Sequence, residues 1–145
     1  MTDSITTHTV VPIATEDDAR ATCDALEDAV EEIETLTVVH VIEKTEGYPD
    51  KAPFEARREQ AERIFSIVEE RFPDGPAIRR ELRYGTDVVD EVVAAAADVD
   101  ATAIGFRPRP GGRLRRLLSG SDSYRLITES ERPVVVFSRL GSQTT

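Results

Sequence analysis

The sequence holds one cysteine, Cys23, two histidines, His8 and His40, two lysines, Lys44 and Lys51, one methionine and no tryptophan. A lone cysteine excludes an intramolecular disulfide framework and a cysteine-built zinc cluster, and two histidines leave no polyhistidine metal site. No apolar run approaches the roughly 20 residues of a bilayer span. Met1 to Thr9 is polar and carries Asp3, without the basic-then-apolar order of a signal peptide. These absences lead to the expectation of a cytoplasmic, metal-independent domain with no membrane partner.

A length of 145 residues, 39% hydrophobic and 32% charged, suits one domain over 1–145, with frayed ends at 1–7 and 139–145. The 28 acidic residues outnumber the 18 basic ones, for a net charge of -10, and all basic residues but the two lysines are arginines. An acidic protein nearly free of lysine fits a high-salt cytoplasm, where carboxylates stay hydrated and their repulsion is screened. The expected source is therefore halophilic; ordinary solubility is the plainer account of the same charge. A negative surface also argues against general nucleic-acid binding, since phosphate backbones seek basic surfaces.

The charge is uneven. Residues 1–100 carry 25 acids and 10 bases, whereas 101–145 carry 3 acids and 8 bases. Five of the latter, Arg107, Arg109, Arg113, Arg115 and Arg116, fall between Phe106 and Leu118 in a stretch without an acid. A cationic loop on an acidic protein is the first functional hint.

Apolar patterning predicts five strands alternating with helices. His8 to Ile13 reads as a buried strand. Thr15 is a candidate N-cap for the next helix, with Asp18 in capping-box position. Ala19, Cys23, Leu26, Val30 and Ile33 make one stripe of that helix, and place Cys23 in the core. Leu36 to Ile42 is a second buried strand, followed by a polar loop and a helix from Pro53 to about Phe72 with Phe54, Ala61, Phe65, Val68 and Phe72 on one face. Ala77 to Tyr84 alternates as an edge strand, Ile78, Leu82 and Tyr84 opposite Arg79, Glu81 and Arg83. An alanine- and valine-rich helix, Asp87 to Asp98, precedes a fourth strand at Ala101 to Gly105. A short helix from Gly120-Ser121 to about Glu129 precedes a fifth strand at Pro133 to Phe137. This alternation implies a parallel sheet covered on both faces, with right-handed crossovers. Pro12 resists the scheme, because a missing N–H is costly in a central strand; its place one residue from the strand's end lets pairing stop there.

Ligands of open parallel sheets gather beyond the carboxyl ends of the strands, where strand order reverses. Those ends are Ala14-Thr15, Val41 to Glu43, Tyr84-Gly85 and Gly105-Phe106. The arginine loop returns at Gly120-Ser121-Asp122-Ser123, where helix N–H groups and serine hydroxyls can hold phosphate oxygens and upstream arginines can face them. Equally, Ser121 can cap its helix while the arginines pair with surface carboxylates. A P-loop is absent, since neither lysine follows a glycine, and so is the Gly-x-Ser-x-Gly elbow of α/β-hydrolases. His40, between Val39 and Val41, reads as a packed core residue rather than a general base.

HTVVPI at the start, VVHVIE in the second strand, YGTDVVDEVVAAAADVDATAIGF and above all GGRLRRLLSGSDSYRLITESERPVVVF resemble the universal stress protein family. The resemblance implies a three-layer α/β sandwich, a five-stranded parallel sheet in order 3-2-1-4-5 with helices on both faces, and a ligand cleft between strands 1 and 4. It also implies a homodimer joined through Pro133-Phe137. Many members bind ATP through a motif spaced Gly-x-x-Gly, nine residues, Gly-Ser/Thr. Carried over, Gly105 is the first glycine, Gly120-Ser121 the closing pair and Ser123 the second hydroxyl, while Val41 offers backbone groups to adenine and Arg107 lies in the linking turn. Two positions depart from the pattern. Pro108 replaces the second glycine, with 11 residues rather than nine between it and Gly120, and Ala14 replaces the acidic residue expected after strand 1.

The resulting expectation is a stress-response or regulatory module that binds ATP or another adenine nucleotide, with magnesium only alongside the nucleotide. Gly120, Ser121 and Ser123 would take the phosphates and Arg107, Arg109 or Arg113 would clamp them. No general base, metal cage or nucleophile pair argues for an enzyme, although Glu16, Asp17 and Glu43 lie near the expected cleft. The alternative is a homodimeric adaptor of the same family without nucleotide, which Ala14 and Pro108 favour.

Overall fold

Strand β1, His8–Pro12, is buried at every position after His8, as suits the middle of a sheet. The computed structural model of the chain describes residues 4–43, 51–107 and 120–137, without the side chains of 51–54 and 120–123. Over these, β1 is joined by β2 (Thr35–Glu43), β3 (Ala77–Gly85), β4 (Ala103–Phe106) and β5 (Val134–Val136). All pairings are parallel, and the order is β3-β2-β1-β4-β5. Helices α1 (Glu16–Leu26), α2 (Lys51–Arg71), α3 (Val88–Asp98) and α4 (Gly120–Glu129) alternate with the strands. The expected α/β sandwich and strand order are both present.

Two cores form because successive side chains of a buried strand point to opposite faces. Val11, Leu36 and Val38 pack with Cys23 and Leu26 of α1 and Ile64, Phe65 and Val68 of α2. On the other face, Val10, Val39, Val41 and Ile104 pack with Val89, Val92 and Ala96 of α3 and Leu126 of α4. Cys23 is fully buried, and burial pushes its thiol pKa up to about 11, consistent with a packing role rather than reactivity.

Helix α1 is shorter than its apolar stripe predicts. It ends at Leu26; Val30 lies in a 3-10 turn and Ile33 in extended backbone, although Ile33 remains buried. Glu27, Asp28, Glu31 and Glu32 crowd this end and no basic residue lies in the last turn, so the helix dipole opposes continuation. Edge strand β3 also differs in detail. Its Ile78-Leu82 side carries Arg80, which bridges Glu62 and Glu69 of α2 and lies over the Phe65 ring. The opposite side is not simply solvated, because Arg83 binds Glu91 and Asp98 of α3.

Pro12 has a clear place. In a parallel ladder, alternate residues of a strand address opposite neighbours. Ile13 N–H donates to the Val39 carbonyl at 2.9 Å, so Val11 and Ile13 address β2 while Val10 and Pro12 address β4. The β1–β4 register stops at Val10↔Ile104. One further step calls for an N–H at position 12, which proline lacks. Beyond it β1 stays with β2, through Pro12↔Val39, and β4 stays with β5, through Gly105↔Val135 and Phe106↔Val136. The sheet therefore divides between β1 and β4, where its order reverses.

Candidate functional site

The division opens at the carboxyl ends of the strands. Ala14 follows β1, Gly105 lies within β4, Arg107 follows β4, and Val41 lies on the stretch of β2 that outruns β1. Val41 is buried against the α3 face, and among the described residues β2 beyond Val39 is paired only to β3. Gly120, Ser121 and Ser123 form the first turn of α4. Arg109 and Arg113, with Pro108 and the rest of 108–119, lie outside the described residues.

Asp18 joins the two sides of the opening. Thr15 caps α1 by accepting from Asp18 N–H at 2.9 Å, as expected. The Asp18 carboxylate does not complete a capping box on the Thr15 amide. Its Oδ2 instead accepts from Ala14 N–H at 2.9 Å. Its Oδ1 accepts from Thr22 Oγ1 at 3.4 Å and from the Arg107 guanidinium at 3.3 Å. Where Pro12 ends the backbone ladder, a carboxylate thus links the end of β1 to the residue after β4. Asp18 is 8% exposed, which shields this link from bulk water; hydrogen bonds to charged groups contribute roughly 1.5–3 kcal/mol. Sequence reading took Asp18 as a capping residue only. The signal for its wider role was its place in the first turn of α1, where side chains point back toward the helix start.

Two of the other carboxylates expected near the cleft, Glu16 and Asp17, are paired with arginines. Glu16 accepts from Arg63 of α2 at 2.8 Å and Asp17 from Arg20 at 3.4 Å, while Glu43 gives its backbone carbonyl to Arg57 at 2.8 Å. His40 is a core residue, as expected, with a definite task. Its Nδ1–H donates to the Ile13 carbonyl at 2.8 Å, holding the residue that follows β1 against β2. Burial lowers its pKa, against the raising effect of that bond, so the ring is neutral at pH 7.

Gly105 lies under an aromatic ring. A Cβ built there would meet Phe137, whose Cδ2 would be 3.1 Å away. The absent side chain therefore has a packing reason in the β4–β5 pair, besides any role toward a ligand. The chemistry the site offers is anion binding: a guanidinium at the end of β4 and the amino end of α4 on the same strand-end side of the sheet. Among the described residues, no group of three histidine, cysteine, aspartate or glutamate side chains is placed to hold a metal ion.

A family profile described as Universal stress protein family matches residues 6–138. No protein of curated function matches the sequence. A universal stress protein of Archaeoglobus fulgidus is 24% identical, with a TM-score of 0.64, 90% of this chain and 98% of that chain being covered. A universal stress protein solved in complex with cAMP is 17% identical, with a TM-score of 0.55 and coverage of 92% and 99%. A universal stress protein family protein of Arabidopsis thaliana with AMP bound is 14% identical, with a TM-score of 0.55 and coverage of 94% and 96%.

Proposed function

Because the chain belongs to the universal stress protein family, we propose that it is a regulatory binding module for an adenine nucleotide, ATP or a close relative, and not an enzyme. The observation that carries this reading is the division of the sheet after Val10↔Ile104, which opens the switch point beside Arg107. Structural relatives with cAMP and AMP support the adenine class. In this chain Gly120 and Ser121 N–H groups and the Ser121 and Ser123 hydroxyls would receive the phosphates. Val41 backbone groups would take the base, Ala14 would border the sugar, and Arg107, Arg109 and Arg113 would supply positive charge. The nucleotide, when bound, would bring magnesium on its own phosphates. The test is to denature protein purified in high salt, analyse the released small molecules, and titrate ATP calorimetrically into wild type and the Ser121→Ala/Ser123→Ala variant. Binding that falls at least about tenfold in the variant supports the placement, since two charge-assisted bonds are lost. Unchanged affinity rejects it, and no binding to wild type favours the adaptor reading.

We further propose a homodimer through Pro133-Phe137. Among the described residues the two sheet edges differ: β3 presents Arg79, Arg80, Glu81 and Arg83, whereas β5 is three valines, with Val136 50% exposed. Charge protects an edge and an uncovered apolar edge invites pairing, here with a second copy. Light scattering on Val136→Lys should report a monomer where wild type is a dimer.

A further inference from the structure

We propose that the Asp18–Arg107 ion pair is an autoinhibitory clasp on the nucleotide site, a regulation that rests on the function proposed above. Arg107 is the basic residue nearest the end of β4, and its guanidinium donates to Asp18 Oδ1 at 3.3 Å. Asp18 belongs to the opposite side of the opening, tied to β1 by the Ala14 amide and backed by Thr22 within α1. The pair therefore spans the point at which β1 and β4 part. Its two side chains are only 20% and 9% exposed, so the contact is little screened by salt. An anion entering between the strands meets a guanidinium already neutralised by a carboxylate, and must displace that carboxylate to use it. Asp18 then stays bound to Ala14 N–H and Thr22, so the exchange leaves no carboxylate without partners. The clasp sets a threshold: only a ligand whose phosphates out-compete Asp18 gains the Arg107 guanidinium.

The test is a double-mutant cycle read by ATP titration at fixed potassium chloride, using wild type, Asp18→Asn, Arg107→Gln and the double variant. Asparagine keeps an oxygen for Ala14 N–H while losing the charge that holds Arg107. Asp18→Asn should raise ATP affinity at least about fivefold, the low end of typical coupling between sites, and should do nothing in the Arg107→Gln background. An equal gain in both backgrounds would mean simple relief of negative charge and overturns the clasp, as does no gain. If neither wild type nor any variant takes ATP, the nucleotide reading itself fails and the clasp with it. Nuclear magnetic resonance of the wild type gives a reading that needs no variant. Saturating ATP should shift the Arg107 Nε signal while the Ala14 amide keeps its hydrogen-bonded position; an unmoved Arg107 signal with ATP bound overturns the clasp.

Discussion

The ring of Phe137 fills the space that a side chain at Gly105 would take. The backbone of Phe137 is anchored to β4, its N–H donating to the Phe106 carbonyl at 2.9 Å. Phe137 itself is buried with Val11 and Ile13 in the core under α1 and α2. The end of β4 is thus built on a residue pair that belongs to the sheet, at the margin of the proposed cleft.

Gly105→Ala should therefore destabilise the protein by about 1–3 kcal/mol, the usual cost of overpacking. In a Phe137→Ala background, which removes the ring, the same substitution should cost much less. Thermal melts of the four proteins measure this, and equal costs in both backgrounds would break the proposed link.

Asp87 caps α3 by accepting from Asp90 N–H at 3.0 Å, and it also accepts from Arg125 of α4. The cap and then Arg125 hold its carboxyl below the ordinary aspartate value. A depressed carboxylate contributes stability that is present above its unfolded pKa and is lost as pH falls through the folded one. Asp87→Ala should cost about 1 kcal/mol at pH 7. The gap from wild type should begin to narrow below about pH 4, where the unfolded aspartate takes up its proton, and close only below the depressed folded value. Urea melts across pH 3–7 would expose a pH-independent gap.

His40 carries the opposite proton balance. Burial lowers its pKa, so the folded state prefers the neutral ring. That stability is complete above the unfolded value of about 6.5 and drains away as pH falls through the lowered folded value. His40→Gln retains an N–H for the Ile13 carbonyl without an ionisation. Wild type should lose stability faster than the variant below about pH 6.5, by at most about 1.4 kcal/mol per pH unit. His8, whose pKa burial and Arg79 also lower, contributes equally to both proteins. Parallel stability curves would refute this account.

The net charge of -10 sets up repulsion that salt relieves. Exposed pairs such as Arg20–Asp17 and Arg80–Glu62 are weakened by the same salt, but each contributes only about 0–1 kcal/mol. The melting temperature should accordingly be higher in molar than in millimolar potassium chloride. An equal or lower value would count against adaptation to a high-salt interior.

Much of the fold was legible because buried parallel strands and amphipathic helices write their periods into the chain. HTVVPI and LTVVHVI read as buried strands, and Thr15 announces the helix it caps. The end of α1 was misread because the apolar spacing continues through Val30 and Ile33 after the helix has stopped. Packing against the core, rather than helix geometry, keeps Ile33 apolar. Of the candidate site, Ala14, Val41 and Gly105 lie at strand ends that the topology rule marks, Arg107 enters through the arginine-rich stretch and the family resemblance, and Asp18 reads only as a cap.

By itself the sequence determined the alternation of strand and helix, the acidic surface and the residue at position 12 that cannot donate a hydrogen bond. Local backbone chemistry suffices for each of these. Only the tertiary structure decided that the missing donor faces β4, that Asp18 reaches Arg107 across 89 residues of chain, and that Phe137 covers Gly105. Those relations depend on register and on which strand lies beside which, and no periodicity in one segment encodes its distance from another.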